Sequence, residues 1–247
     1  MLRARLGKRL RGSRFNSYRA YYDFVRNDAS GAELCTLLDA ISTNTTHLFR
    51  ERQHFEFLAQ TLRGQLEDRR WRVANRTLRI WSAGCSTGDE PYSIAMTVDH
   101  ALDRSGLDWK ILATDISTRV LERAGAGLYE PHRLGTVPPD LRLRYFVAAE
   151  QGDGAFIQVG AALRRRITFA RFNLMHERFP FRHGFHYIFC RNVMIYFDRP
   201  TQQQLVARFA AHLRPGGYLL IGHSESLNAI QHPLEYVQPT IYRKTAP

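Results

Sequence analysis

The sequence has few cysteines, no long apolar runs and fewer acidic than basic residues. Its 247 residues include three cysteines, Cys35, Cys85 and Cys190, which form no CxxC pair and no metal-ligand spacing. This pattern argues against a disulfide framework and a metal site, and it favours a reducing compartment. No apolar run approaches the ~18 residues of a membrane span, and no signal-peptide stretch follows the basic N-terminus. We therefore expect a soluble, cytoplasmic protein without membrane insertion.

Lysine and arginine outnumber aspartate and glutamate by 35 to 23, which gives a formal net charge of +12. Seven basic residues precede the first acid, Asp23: Arg3, Arg5, Lys8, Arg9, Arg11, Arg14 and Arg19. A solvated helix surface is the simplest interpretation of this charge. The alternatives are a surface that binds nucleic acid, an anionic membrane or an acidic protein.

The stretch IWSAGCSTGDEPYS (80–93) runs from an apolar strand through a turn of small residues into a helix start. Gly84 and Gly88 lack Cβ atoms, so the backbone can approach a ligand there. The spacing is not the Gly-x-Gly-x-x-Gly of dinucleotide sites, and Asp89 and Glu90 put negative charge where a pyrophosphate would lie. The turn therefore favours S-adenosylmethionine over NAD, although an ordinary tight connection could have the same residues.

A carboxylate ends the next apolar run, ILATD (111–115). At the end of a second parallel strand, Asp115 could accept hydrogen bonds from both hydroxyls of a ribose. The alternative is that Asp115 caps the helix that begins near Ser117. The turn and the acid together favour a Rossmann-like cofactor site.

Apolar spacing divides the chain into a helical part, residues 1–71, and a part with alternating strands and helices, residues 72–247. The alternation predicts a parallel sheet covered on both faces. Its predicted elements are 78–83, 90–100, 110–115, 118–125, 186–190, 201–213 and 217–222. Three β-like runs, 144–148, 155–159 and 167–172, predict a small antiparallel subdomain at about residues 144–172.

Four more segments complete a specific order: TNTTHLFRE (43–51), FNL (172–174), IFCRNVMIYFD (188–198) and GGYLLIGHSES (216–226). With the turn and the acid between them, they resemble the chemotaxis receptor protein-glutamate O-methyltransferases, the CheR family, over nearly the whole chain. The resemblance implies an α/β fold. A Rossmann-like S-adenosylmethionine-dependent methyltransferase sheet would carry a small N-terminal helical domain and an inserted antiparallel β subdomain.

The resemblance also implies a reaction and its partners. A methyl group would pass from S-adenosylmethionine to glutamate side chains on the cytoplasmic helices of chemoreceptors, giving methyl esters and S-adenosylhomocysteine in a chemotaxis or related signalling pathway. An acidic receptor helix would then be the partner of the N-terminal arginines, with Arg5, Arg9 and Arg11 as substrate-binding candidates. We expect no nucleic-acid partner.

Nine cofactor contacts follow from the same resemblance: Asn44, Thr46, Arg50, Glu90, Asp115, Asn173, Leu174, Arg191 and Asn192. Gly84 joins them from the turn. Arg50 is also a catalytic candidate, because a guanidinium can orient a carboxylate with two donors, and Tyr196 is a second. Simpler roles stay open for several of these residues, namely helix capping by Asn44 and Thr46, an ion pair of Arg50 with Glu51 or Glu90, and a turn at Asn173.

The sequence departs from the family pattern in two places, and it also allows two other functions. Relative to the family, we expect the first helix to be missing, either because the protein is short or because its start is truncated, and Leu48 stands where the family has phenylalanine. A nucleic-acid methyltransferase is one alternative function, suggested by the net charge, although NVMIY (192–196) lacks the two prolines usual in enzymes that methylate base amino groups. The other is a scaffold that binds cofactor without turnover.

Overall fold

The computed structural model describes residues 6–7, 10, 15, 17–29, 31–41, 45–103, 105–151 and 154–245. The first helices are α1 (Tyr18–Asn27), α2 (Ala32–Ile41), α3 (Gln53–Glu67) and α4 (Arg69–Ala74). Next come β1 (Thr77–Ala83), α5 (Asp89–Ala101), β2 (Asp108–Asp115), α6 (Thr118–Ala126), β3 (Leu128–Tyr129), α7 (Pro139–Tyr145), β4 (Phe146–Gln151) and β5 (Gly154–Val159). The last are α8 (Ala161–Arg164), β6 (Ile167–Arg171), β7 (Phe185–Cys190), α9 (Arg199–His212), β8 (Leu213–Ile221), β9 (Leu234–Gln238) and β10 (Ile241–Lys244).

Seven strands form one sheet in the order β6-β2-β1-β7-β8-β10-β9. The first five run parallel, and β10 runs antiparallel to both of its neighbours. The chain builds the sheet outward from β1 to β2 and β6, then returns to place β7 on the other side of β1. The strand order therefore reverses between β1 and β7, and ligands of such sheets bind at the carboxyl ends of the strands beside this reversal.

The pleat of the central strands sends alternate side chains to two cores, one on each face of the sheet. The first core receives Leu78, Ile80, Tyr187, Phe189, Tyr218 and Leu220. The second receives Trp81, Ala83, Ile188, Cys190, Leu219 and Ile221. Helices α3 and α5 complete the first core through Leu58 and Ile94, and α9 completes the second through Phe209. The predicted parallel sheet with both faces covered is confirmed.

Helix α3 lies before the predicted domain boundary near residue 71, yet it packs on α5 and shares the first core with the sheet. Phe55, Leu58 and Leu62 of α3 are all buried there. The segment just before α3 is consequently held close to the carboxyl edge of the sheet. The boundary itself stays a prediction.

The small antiparallel sheet differs from the prediction in one strand. It has the order β3-β5-β4, in which the first two predicted runs form β4 and β5 and pair antiparallel. The third predicted run is β6, which pairs in parallel with β2 in the large sheet from Ile111↔Ile167 to Asp115↔Arg171. The third strand of the small sheet is instead the two-residue β3, which is too short for periodicity to reveal.

Within the described ranges, no helix combines the length and the apolar character that a membrane crossing needs.

The buried side chain of His186 makes the stability of the fold depend on pH. Its Nδ1 accepts a hydrogen bond from the Arg79 backbone N–H at 3.0 Å, and its Nε2 lies 2.8 Å from Asn75 Oδ1, so the ring is bonded as a neutral imidazole. Burial, and then the charge of Arg214, lower the pKa of His186 to about 4. Below the usual histidine pKa of about 6.5 the unfolded chain binds a proton that the folded chain does not.

We therefore expect the free energy of unfolding to fall as the pH drops from about 6.5 towards 4, by up to about 1.4 kcal/mol per pH unit for this group. His186→Gln should be less stable at neutral pH but should lose less stability on acidification. Urea unfolding near pH 7 and near pH 5 measures both effects. The matched control is His132→Gln, because His132 is a histidine whose side chain is 74% exposed.

Candidate functional site

Four segments meet at the carboxyl ends of the central strands, beside the point where the strand order reverses. They are residues 45–52 before α3, the turn 84–88 after β1, the loop 191–197 after β7 and the loop 222–226 after β8. Hydrogen bonds join the segments 45–52, 191–197 and 222–226 to one another and join Arg191 to Glu90 at the start of α5, while Gly84 of the turn packs against Val193. This edge is the candidate site.

Arg191 lies at the centre of the site, with its side chain 2% exposed. Its Nη1 donates to Glu90 Oε2 at 3.2 Å, and its Nη2 and Nε donate to Glu51 Oε2 at 3.0 and 3.3 Å. Nη2 also donates to the carbonyl of Arg50, and the guanidinium lies over the ring of Phe55 at 5.4 Å. Each of the three guanidinium nitrogens thus donates to a protein acceptor, and the predicted cofactor contact of Arg191 stays a prediction.

The two acids at the start of α5 are both held inside the protein. Asp89 is fully buried and accepts hydrogen bonds from Thr87 Oγ1 at 2.6 Å and from Arg133. Glu90 accepts from Ser82 Oγ at 2.7 Å and from Arg191. Burial raises the pKa of Glu90, against the opposing charge of Arg191. Both carboxylates oppose a phosphate at this helix start, as the sequence predicts.

Asp115 lies at the end of β2, next to the turn. Its Oδ2 accepts from the Ser86 backbone N–H at 2.9 Å, and its Oδ1 accepts from the Ser117 backbone N–H at 3.0 Å. The cap of α6 is Ser117, whose side chain accepts from Val120 N–H, so the alternative that Asp115 caps this helix is wrong. A carboxylate fixed at this strand end suits a ribose, and its role in cofactor binding stays a prediction.

Packing within the protein itself requires glycine at two positions of the turn, in addition to the close approach of a ligand that the sequence predicts. Gly84 has φ +87°, and a Cβ atom there would lie 2.4 Å from Val193 Cγ2. Gly88 has φ +91°, and a Cβ atom there would lie 3.0 Å from that of Ala124. Other side chains would therefore clash at both positions without any ligand present.

Glu225 organises the loop that carries Asn192 and Tyr196. Its carboxylate accepts from the backbone N–H groups of Asn192 at 3.0 Å and Ile195 at 3.2 Å, and also from Gly222 N–H. Asn192 has φ +59°, a conformation that few residues other than glycine adopt. Tyr196 follows in a short 3₁₀ helix, Met194–Tyr196, and is 60% exposed, and its predicted catalytic role stays a prediction.

The segment before α3 is held by a second 3₁₀ helix, Pro131–Thr136. Arg133 Nη2 donates to the carbonyl of Thr46 at 3.0 Å, and Thr136 Oγ1 donates to the carbonyl of Leu48 at 2.7 Å. Arg133 also binds the buried Asp89, so it links this segment to the start of α5. The alternative that Thr46 caps a helix containing Phe49 is wrong, because α3 begins at Gln53, and the same alternative for Asn44 falls outside the described residues.

Arg50 extends from this segment and is half-buried. Its Nη1 donates to the carbonyl of Thr45 at 2.9 Å. The ion pairs that sequence reasoning allowed for Arg50, with Glu51 or Glu90, are both made by Arg191 instead. Its predicted contacts with cofactor and substrate remain predictions.

Of the remaining predicted site residues, two make contacts within the protein and four lie outside the described part of the chain. Asn173 Oδ1 accepts from Met175 N–H at 2.9 Å, which is the turn contact named as its simpler role. Leu174 is buried in the second core. Four predicted residues lie outside the described part of the chain: Asn44, Arg5, Arg9 and Arg11.

Sequence reasoning missed three residues that shape the site: Glu51, Arg133 and Glu225. Glu51 and Glu225 stand inside recognised segments, directly after Arg50 and in GHSES, so their positions were visible but their partners were not. Arg133 stands in no motif. Its neighbours Asp89 and Thr46 are 44 and 87 positions away in the chain, and only the fold brings them together.

Three side chains of metal-ligand type also meet here, because ligand atoms of Glu51, His54 and His223 lie within 4.8 Å of one another. Arg191 already donates to Glu51, and burial followed by the charge of Arg191 lowers the pKa of His54 to about 3. Both carboxylate oxygens of Glu51 already accept hydrogen bonds, from Arg191, Asn192 and the backbone N–H of His223. We therefore assign no metal to this cluster.

Comparison with known proteins gives one consistent family. A model described as "CheR methyltransferase, SAM binding domain" matches residues 44–243, and one described as "CheR methyltransferase, all-alpha domain" matches residues 1–42. The chain is 40% identical over 246 residues to a chemotaxis protein methyltransferase of Borreliella burgdorferi, covering 99% of this chain and 86% of that protein. It is 41% identical over 239 residues to chemotaxis protein methyltransferase 2 of Pseudomonas aeruginosa, covering 97% and 82%.

Asp115→Ala should weaken the affinity for S-adenosylhomocysteine by about tenfold or more, because charge-assisted hydrogen bonds to a ribose are each worth about 1.5–3 kcal/mol. Calorimetric titration measures this affinity. The matched control is Asp108→Ala at the opposite end of the same strand, where the exposed carboxylate pairs with Arg166. Unchanged affinity in a folded Asp115→Ala protein would remove this residue from the cofactor site.

Proposed function

The chain belongs to the CheR methyltransferase family and is an S-adenosylmethionine-dependent methyltransferase, and we propose that its substrates are glutamate side chains on the cytoplasmic helices of chemoreceptors. The products would be glutamate methyl esters and S-adenosylhomocysteine, formed in the cytoplasm during chemotactic adaptation or a related signalling response. One observation carries the proposal, namely that relatives named chemotaxis protein methyltransferase match the chain over nearly its whole length.

The proposed reaction needs alignment more than it needs acid or base. A glutamate carboxylate has a usual pKa of about 4.3, so it is ionised at neutral pH and no general base is required. Bound S-adenosylmethionine supplies a methyl group on a sulfonium, and the carboxylate oxygen must approach it in line at roughly 3 Å. Arg50 is proposed to hold that carboxylate with two donors, and the exposed Tyr196 to donate its hydroxyl to the second oxygen.

The charge of the site supports a cationic cofactor. When Glu90 is ionised, Glu51 and Glu90 share the single guanidinium of Arg191, which leaves a net negative charge in a buried setting. A sulfonium or an ammonium group nearby would balance this charge, whereas a phosphate would be repelled. The ionised form of Glu90, which burial disfavours, would be stabilised by such a ligand.

The substrate would approach the exposed side of the loop after β7, where Ile195 is 48% and Tyr196 60% exposed. An acidic receptor helix would also be attracted by a protein with a net charge of +12. We propose that Arg5, Arg9 and Arg11 contribute contacts to that helix.

Nucleic acid is the weaker candidate substrate. The segment 192–196 lacks the prolines typical of base-amino methyltransferases. Methylation at a base carbon would need a cysteine nucleophile, and burial raises the pKa of both Cys85 and Cys190. Both thiols therefore stay protonated at neutral pH and are poor nucleophiles.

Incubation with S-adenosylmethionine labelled in its methyl group, together with receptor cytoplasmic fragments or with nucleic acid, tests the proposal. We expect label in the receptor fragment that mild base releases, because a glutamate methyl ester is base-labile. Receptor fragments with glutamine in place of the methylated glutamates should take up none. A base-stable label in nucleic acid, or binding of the cofactor without any transfer, would contradict the proposal.

Arg50→Lys should reduce kcat for receptor methylation by more than about tenfold, because lysine keeps the charge but loses the planar pair of donors. Steady-state kinetics with a receptor fragment measure this effect. Arg52→Lys is the matched control, since Arg52 is an exposed arginine two residues away that pairs with Glu56 at 3.0 Å. If Arg50→Lys turns over like the wild type, the orienting role is wrong.

A further inference from the structure

We propose that Glu51 is a positioning residue of the S-adenosylmethionine site, which fixes Arg191 beside Glu90 and ties together three site-bearing segments. Its role is to hold other residues in place, and it is not proposed to touch the methyl group. The inference depends on the cofactor site and on no particular methyl acceptor, so it can fail while the proposed substrate is correct.

The hydrogen bonds of Glu51 come from two separate loops. Oε2 accepts from Arg191, and Oε1 accepts from Asn192 Nδ2 at 3.3 Å and from the backbone N–H of His223 at 3.2 Å. These donors lie 140, 141 and 172 positions away in the chain. A single carboxylate thus joins the segment before α3 to the loops after β7 and β8.

The backbone around Glu51 adopts an unfavourable conformation that the surrounding contacts must hold in place. Glu51 has φ +58° and Phe49 has φ +55°, in the left-handed region that residues other than glycine seldom adopt. Such conformations cost about 1–3 kcal/mol each and persist only where surrounding contacts enforce them. At Phe49 the contact is Ser93 Oγ, which accepts from its N–H at 2.9 Å, and at Glu51 it is the carboxylate.

The negative charge of Glu51 contributes to this positioning role, as does the length of its side chain. Burial raises the pKa of Glu51, but the charge of Arg191 and the backbone hydrogen bond from His223 lower it by more. The pKa therefore lies below its usual value, and the side chain stays ionised. Arg191 is nearly inaccessible to water, and without Glu51 its Nε and part of Nη2 would lack an acceptor. A buried, partly unpaired guanidinium would move, and Glu90 and the carbonyl of Arg50 would lose their donor with it.

Two substitutions distinguish the effect of the length of the Glu51 side chain from the effect of its charge. Glu51→Gln keeps the length and loses the charge, whereas Glu51→Asp keeps the charge beside Arg191 but is one methylene too short to bridge both loops. We expect each to weaken S-adenosylhomocysteine binding by about tenfold or more, which corresponds to about 1.4 kcal/mol or more. Calorimetric titration of the purified full chain measures the affinity.

Amide hydrogen exchange distinguishes positioning from general stability. In both variants the N–H of His223 and neighbouring amides of residues 222–226 should exchange faster, and saturating S-adenosylhomocysteine should restore much of the protection. Amides of β1 and β2 should exchange as in the wild type, because the donors to the Glu51 carboxylate lie in the loops after β7 and β8. Glu56→Gln is the matched control, because Glu56 lies in the next helix, is exposed and pairs only with a neighbouring arginine in the described structure.

The proposal is overturned if either variant binds S-adenosylhomocysteine as tightly as the wild type does. It is also overturned if exchange accelerates equally in β1 and β2, because Glu51 would then support the whole fold and not the site. Should Glu51→Gln fail to fold, Glu51→Asp still decides the question, since it leaves a carboxylate near the buried guanidinium.

Discussion

The site depends on one buried guanidinium. Arg191 stands between Glu51 and Glu90, and it also donates to the carbonyl of Arg50. A buried arginine without acceptors is costly, so these partners must be in place whenever the chain is folded. Because the partners come from the segment before α3 and from the start of α5, Arg191 links the helical part of the chain to the carboxyl edge of the sheet.

Carboxylates hold the surrounding loops in a similar way. Glu225 collects backbone N–H groups from the loops after β7 and β8, and Asp115 joins the turn after β1 to the loop after β2. Loops at a sheet edge have few apolar contacts, so buried acceptors that bind several N–H groups can give them order. Asp89 and Glu90 at the start of α5 add negative charge at this edge, which suits a sulfonium cofactor better than a pyrophosphate.

This arrangement agrees with the modest chemical demands of carboxylate methylation. The acceptor is already ionised at neutral pH, so the protein must mainly align it and exclude water. In the proposed function, the buried network would hold the methyl donor and the exposed Tyr196 would meet the receptor. Glu51 and Arg133 would both act behind the cofactor, since each anchors the segment that carries Arg50.

The sequence by itself determined the parallel sheet, the glycine turn, the acid at the end of β2 and the family. These features are local, because burial of alternate residues and the conformational needs of a turn are recorded at neighbouring positions. The tertiary structure decided that run 167–171 joins the large sheet and that Arg191 pairs with Glu51 and Glu90, which are 140 and 101 positions away. Periodicity shows which face of a strand is buried, but strand neighbours and the partners of a buried charge depend on how distant segments pack together.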